Sequence, residues 1–187
     1  MQAGWSRSTD GYEHHEGLPR MSLHDIDRAL SESIAYARER SYAGPDPYDG
    51  LAAPAARYLP TKLSRQVWLQ GMKRAGPRTR QALRVPHFRM AKSLALFSEG
   101  LHLIGNFDEA RSLSNDLLDS AGGGPWGYEF NVQTRWAYYP AGTPNVIATA
   151  FAVRSLVQQG LGHSISAETL DWLYSLVDEK GYLHSIA

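Results

Sequence analysis

The segment from Gly122 to Phe151, GGGPWGYEFNVQTRWAYYPAGTPNVIATAF, most limits the folds open to this chain, because it interrupts a sequence that otherwise reads as helices. Gly122, Gly123, Gly124, Gly127 and Gly142, with Pro125, Pro140 and Pro144, forbid a continuing helix, so a long structured loop is expected. That loop carries Trp126, Tyr128, Phe130, Gln133, Arg135, Trp136, Tyr138 and Tyr139. Flat rings beside planar hydrogen-bonding groups suit a sugar, whose C–H face stacks on an aromatic while its hydroxyls take donors and acceptors. The competing reading is that the rings anchor the loop onto the core. Long ordered loops tend to carry function, which favours the first.

On both sides of this loop apolar residues recur at helical spacing. Ser22 with Asp25 forms a capping-box pattern ahead of Leu23, Ile26, Leu30, Ile34 and Ala37, predicting a helix that ends near Tyr42. The Pro/Gly/Asp-rich stretch AGPDPYDGLAAP follows, and a weaker helical pattern runs from Pro60 to Ala75 and stops at Gly76-Pro77. From Pro86 to Gly105, Met90, Leu94, Phe97, Leu101 and Ile104 form one stripe that Ala91, Ala95 and Leu103 widen, which predicts contacts on more than one side. Gly105 and Asn106 read as a C-cap and an immediate N-cap, so the next helix, with Phe107, Ala110, Leu113, Leu117 and Ala121 inward, forms a hairpin with it. Thr143-Pro144 predicts the start of a helix to Leu161 that buries Val146, Ile147, Ala150, Phe151, Val153 and Val157. A last helix is expected from Ser166 to Asp178. No strand pattern competes, so the fold class is all-α, with about six helices in antiparallel pairs. Residues 1–20 are expected to be a mobile polar leader and residues 21–187 one helical-hairpin domain. The loops Gly44–Leu51, Gly124–Phe130 and Gly181–His184 place Tyr48, Tyr128 and Tyr182 at comparable points, a weak internal repeat.

Composition narrows the function classes. With 43% hydrophobic and 20% charged residues the chain reads as an ordinary globular protein. Lys plus Arg and Asp plus Glu each total 19, so no net field recruits nucleic acid, and no aromatic-basic RNA-binding module is present. The lack of cysteine removes disulfides, thiolate zinc sites and a cysteine nucleophile. His14 and His15 lie in the polar leader, where adjacent histidines rarely converge on one metal, and neither a metal site nor a cofactor is expected. No secretory signal and no membrane-spanning run is read, so the expected address is cytoplasmic. Serine-hydrolase and phosphate-loop motifs are missing, as is the aspartate-rich box of a terpene cyclase.

Four motifs carry a resemblance: DPYDGL at Asp46–Leu51, RVPHFRMAKSLALFSEGL at Arg84–Leu101, WGYEFNVQTR at Trp126–Arg135 and GTPNVIATAF at Gly142–Phe151. Together they resemble the α/α-toroid proteins found with exopolysaccharide and lipopolysaccharide biosynthesis genes, which are similar in architecture to six-hairpin glycosidases and squalene-cyclase-like toroids. The resemblance implies a ring of helical hairpins of which this chain holds about half, a truncated or split form completed by self-association or a partner chain. It also implies an oligosaccharide or polysaccharide as ligand.

Candidate chemistry follows from the two loops. If Asp46 and Asp49 share a rim with Glu129, paired carboxylates are available for glycoside hydrolysis, which needs an acid and a base or nucleophile. An aspartate in a Pro/Gly turn more often caps its own backbone. A lyase or epimerase would instead use Tyr128 or His184 to move a proton beside Arg135, which would neutralise a sugar carboxylate. Asp49, Tyr128 and Arg135 are therefore the catalytic candidates, and Asp46, Tyr48, Trp126, Phe130, Gln133, Trp136, Asn145 and His184 the substrate-binding ones. The reading is a saccharide-handling protein of cell-surface polysaccharide synthesis acting as hydrolase, lyase or epimerase. The alternative is a non-catalytic glycan-binding or scaffold protein.

Overall fold

In the computed structural model, residues 22–179 are described. The expected leader, with His14 and His15, and the GYLH loop, with Tyr182 and His184, lie outside them. The chain divides into two units, residues 1–36 and 37–187. The first contributes most of α1 (Leu23–Glu39), which opens as its sequence dictates: the Ser22 hydroxyl accepts from the Asp25 amide while the Asp25 carboxylate accepts from the Ser22 amide.

The second unit begins in the last turn of α1 and contains α2 (Lys62–Arg74), α3 (Pro77–Ala82), α4 (Ala91–Leu103), α5 (Phe107–Ala121), α6 (Val146–Gln158) and α7 (Ala167–Ser175). The fold is helical, as the periodicity implies, apart from one short antiparallel pair, β1 (Val132–Gln133) and β2 (Tyr138–Tyr139), which corrects the expectation of no strand. Gly76-Pro77 does stop α2, but Pro77 also starts the one-and-a-half-turn α3, where its fixed φ and missing N–H suit the first helical position.

α4 is the centre of the unit and packs on α5 and α6 together, the two-sided contact its wide apolar stripe predicts. The seam is made of small residues. Ala95, Ser98, Ala110, Ser114, Ala152 and Ser155 are all fully buried, beside Leu94, Leu101, Leu117 and Leu156. Ser98 Oγ donates to the Ala110 carbonyl and pairs with Ser114 Oγ, both at 2.8 Å, so the polar groups between α4 and α5 satisfy each other. The buried face of α6 differs from the expected one: Ala148, Thr149, Ala152, Ser155 and Leu156 face inward, and Ile147 and Val157 are exposed. Close approach to α4 selects the small side chains. α6 starts at Asn145 rather than Thr143, because the Asn145 carboxamide oxygen accepts from the Ala148 amide at 3.0 Å.

The segment before α4 supports the first loop. Gly44 and Phe88 exchange both backbone hydrogen bonds at 3.1 Å, and a second small core of Leu51, Ala56, Leu69, Ala53, Met72 and Val85 gathers around Trp68, whose indole donates to the Gly50 carbonyl at 2.8 Å.

Candidate functional site

The first loop is a pair of aspartate turns. The Asp46 carboxylate accepts from the Tyr48 amide at 2.7 Å and the Asp49 carboxylate accepts from the Asp46 amide at 2.9 Å. Asp49 then sits at 0% exposure against the Arg80 guanidinium, which also donates to the Met72 carbonyl at 3.2 Å and the Asp46 carbonyl at 3.1 Å. This is a correction to the catalytic expectation for Asp49. Its charge is buried and committed to holding the loop on the C-terminus of α2, and it does not line the tyrosine cleft or the groove beside it.

The second loop is anchored by Trp126, expected among the substrate-binding residues. Trp126 is 2% exposed. Its indole donates to the Leu117 carbonyl at 2.9 Å, its amide to Thr149 Oγ1 at 3.0 Å, and its carbonyl accepts from the Asn145 amide at 2.9 Å. The ring thus fastens the loop to α5 and α6, which corrects its assignment to substrate binding. Two glycines make the approach possible: a Cβ on Gly124 would meet the Trp126 ring at 2.4 Å, and one on Gly127 would meet the Thr143 carbonyl oxygen at 2.2 Å. Phe130 is also 2% exposed, between Phe88 and Tyr128 with ring centroids 5.4 Å from each, so it is chiefly the floor of the site rather than its surface.

From Phe130 the chain turns through the β1–β2 hairpin. Thr134 Oγ1 accepts from the Trp136 and Ala137 amides, and Gln133 braces the turn from below, donating to the Thr134 carbonyl at 2.9 Å and the Ala137 carbonyl at 3.0 Å. Its carboxamide oxygen accepts from Arg65 Nε of α2 at 2.9 Å. Gln133 borders a groove, but its amide is fully engaged, so its expected contact with substrate is replaced by a supporting one. The turn presents Arg135 and Trp136 outward. Trp136 is 73% exposed, with the Arg135 guanidinium 4.9 Å from its ring centroid.

The two loops meet at one cleft, which gathers the candidates Tyr48, Tyr128, Phe130 and Asn145 but not Asp49. Tyr48 and Tyr128 face one cleft of about 350 Å³ with Phe130, Val132, Tyr139 and Asn145. That volume falls in the range of roughly 300 to 1,000 Å³ typical of small-molecule pockets. The hydroxyls of Tyr48, Tyr128 and Tyr139 and the side-chain Nδ2 of Asn145 have no hydrogen-bond partner among the described residues. An adjoining groove of about 620 Å³ shares Tyr48, Val132 and Thr134 with the cleft and is bordered by Gln66, Lys73 and Arg135. Lys73 Nζ stands 3.9 Å above the Tyr48 ring centroid, at the seam of the two.

Tyr128 also lines a third depression with Asp46, Met90 and Lys92. Burial pushes the Asp46 carboxyl up, with the Asp49 charge adding to it against the Tyr48 amide and the Arg80 and Lys73 charges. Burial likewise pushes the Tyr128 phenol up, and the Asp46 and Tyr48 charges act in the same direction. Asp46, not Asp49, is thus the carboxylate beside the cleft. Glu129 is exposed and borders a separate depression with Arg57 and Tyr138, so Asp46 and Glu129 line different cavities. For Lys73 the sequence offers only the basic last turn of α2, common in helices for electrostatic reasons, and Arg65, in the first turn, carries no signal of its own. No protein-family model, curated protein or solved structure matches this chain.

Proposed function

We propose that the chain is a saccharide-binding helical protein of cell-surface polysaccharide synthesis, with the cleft between the DPYDGL and WGYEF loops as its ligand site. One observation carries this reading: three phenol rings and an amide, all with unengaged hydrogen-bonding groups, surround an apolar cavity of about 350 Å³. Sugars present the matching surface, apolar C–H faces edged by hydroxyls. The motif resemblance supports the further reading that the helices form part of an α/α toroid, completed by a second copy or a partner chain, and acting in the cytoplasm. Among the described residues no helix is long and apolar enough to cross a membrane.

The test is a screen of short oligosaccharides by tyrosine and tryptophan fluorescence, followed by Tyr128→Ala and Tyr139→Ala. A stacked ring adds about 0.5–1.5 kcal/mol beyond its buried area, so each variant is expected to weaken binding by about three- to tenfold while melting close to wild type. A screen without a single saccharide ligand defeats the reading.

A catalytic reading is favoured by one feature, the half-buried Asp46 beside Tyr128, both shifted toward the protonated form. Such a pair could move a proton in a lyase or epimerase. Paired-carboxylate hydrolysis has less support, because among the described residues no Asp or Glu lines the cleft and Asp46 borders only the neighbouring depression. Incubation of a bound saccharide with the protein, followed by NMR for bond cleavage or epimerisation, separates catalysis from binding alone.

A further inference from the structure

We propose that the saccharide taken by this site is an anionic one, a uronate-bearing oligosaccharide whose sugar rings occupy the tyrosine cleft and whose carboxylates lie along the adjoining groove against Lys73 and Arg135. The inference rests on the saccharide reading above and adds the charge class of the ligand. Three observations carry it.

The two cavities are continuous through Tyr48, Val132 and Thr134, so a ligand longer than one sugar leaves the first by way of the second. The groove is one-signed. Lys73 and Arg135 border it, no Asp or Glu borders it or the cleft among the described residues, and neither cation takes part in any ion pair found there. The opposing charge that reaches Lys73 is Asp46, which acts through space, lines a different depression and is itself pushed toward its neutral form. Asp49 is neutralised by Arg80.

Both cations are also held in place by aromatic rings. Lys73 Nζ rests 3.9 Å from the Tyr48 centroid and the Arg135 guanidinium 4.9 Å from that of Trp136. Preorganisation lowers the entropy lost when a carboxylate docks, and a planar guanidinium offers two parallel N–H donors to a planar carboxylate. The hairpin that presents Arg135 is itself fixed to α2, through Gln66 Nε2 to the Thr134 carbonyl at 3.2 Å and Arg65 to Gln133. Both cations therefore project from braced elements.

The experiment compares acidic oligosaccharides with their carboxyl-reduced, neutral counterparts by titration calorimetry at low and high salt, on wild type and on Lys73→Gln/Arg135→Gln. The expected result is that wild type binds the acidic form about tenfold more tightly at low salt, a preference of about 1.4 kcal/mol. That preference should shrink as salt rises, and the acidic-to-neutral ratio should fall toward one in the double variant. Arg135→Lys, which keeps the charge and loses the fork, should retain only part of it. Equal binding of acidic and neutral forms by wild type overturns the anionic assignment while leaving the saccharide site standing. Polyglutamate binding as tightly as the acidic sugar also overturns it, since charge alone would then suffice. Binding of neither sugar form removes both readings together.

Discussion

Asp46 and Asp49 have the same chemistry and lie three residues apart, yet their surroundings divide their roles. Asp49 faces Arg80 at full burial, where removing one partner strands the other's charge. Asp49→Ala is therefore expected to destabilise the fold by about 3–5 kcal/mol, measured by chemical denaturation. Near-wild-type stability with lost ligand binding would return Asp49 to the site. Asp46 raises the phenol of Tyr128 through its charge, so Asp46→Asn should lower the pH at which Tyr128 ionises. Ring-labelled tyrosine NMR, with Tyr128→Phe to assign the signal, reads this directly; an unchanged or higher midpoint counts against the pairing. Trp126 and Phe97 exchange their expected weights. Trp126 is enclosed and hydrogen-bonded through its indole, amide and carbonyl, whereas Phe97 is half-buried and meets Tyr42 edge to face at 5.1 Å between centroids. Trp126→Ala should cost about 3–5 kcal/mol and Phe97→Ala less, the reverse of what loop position and helical stripe suggest.

Among the elements, the end of α1 and the start of α5 are joined by a polar cluster. Arg38 Nε donates to Glu109 at 2.8 Å, the Tyr42 hydroxyl donates to the same carboxylate, and Asn106 Nδ2 donates to it at 2.7 Å. The Arg38 hydrogen bond, aided by those of Tyr42 and Asn106, holds the Glu109 carboxyl down at about 2 despite burial. Because the folded value lies below the ordinary 4.5, this cluster contributes stability above pH 4.5 that is lost as the pH falls toward 2. Glu109→Gln should flatten that part of the stability–pH profile in denaturant melts, and an unaltered acid limb would refute the assignment. The hairpin shows where pattern reading stops. Its strands are two residues each, too short to show alternation, and its geometry is fixed by side chains, Thr134 within the turn and Gln133 beneath it. Gln133→Met, which removes one donor from each of the Thr134 and Ala137 carbonyls and the acceptor for Arg65, should raise amide exchange through the turn and reduce ligand affinity together.

For the molecule as a whole, the toroid reading places apolar surface where another part of a ring would cover it. Leu103, Phe107, Val157 and Tyr174 are all more than half exposed. We expect concentration-dependent association in sedimentation, since apolar burial at roughly 25 cal/mol per Å² has to exceed the cost of association. A cooperative monomer at every concentration would remove the second-copy form of that reading.

What the sequence determined by itself was local: helices from periodicity, the α4–α5 hairpin from Gly105-Asn106, the capping box at Ser22, and a loop wherever glycine and proline gather. Those are one-dimensional signals, set within a few residues by backbone sterics and hydrogen bonding. Tertiary structure alone decided which face of α6 is inside, because that helix is apolar most of the way round and only the close approach of α4 selects Ala148, Ala152 and Ser155. It decided that Trp126 is an anchor, because its partners at Leu117 and Thr149 lie on other helices. It also brought Tyr48, Lys73, Tyr128 and Arg135 to one continuous pair of cavities. No spacing along the chain encodes that meeting, which depends on how α2, α4 and two loops pack.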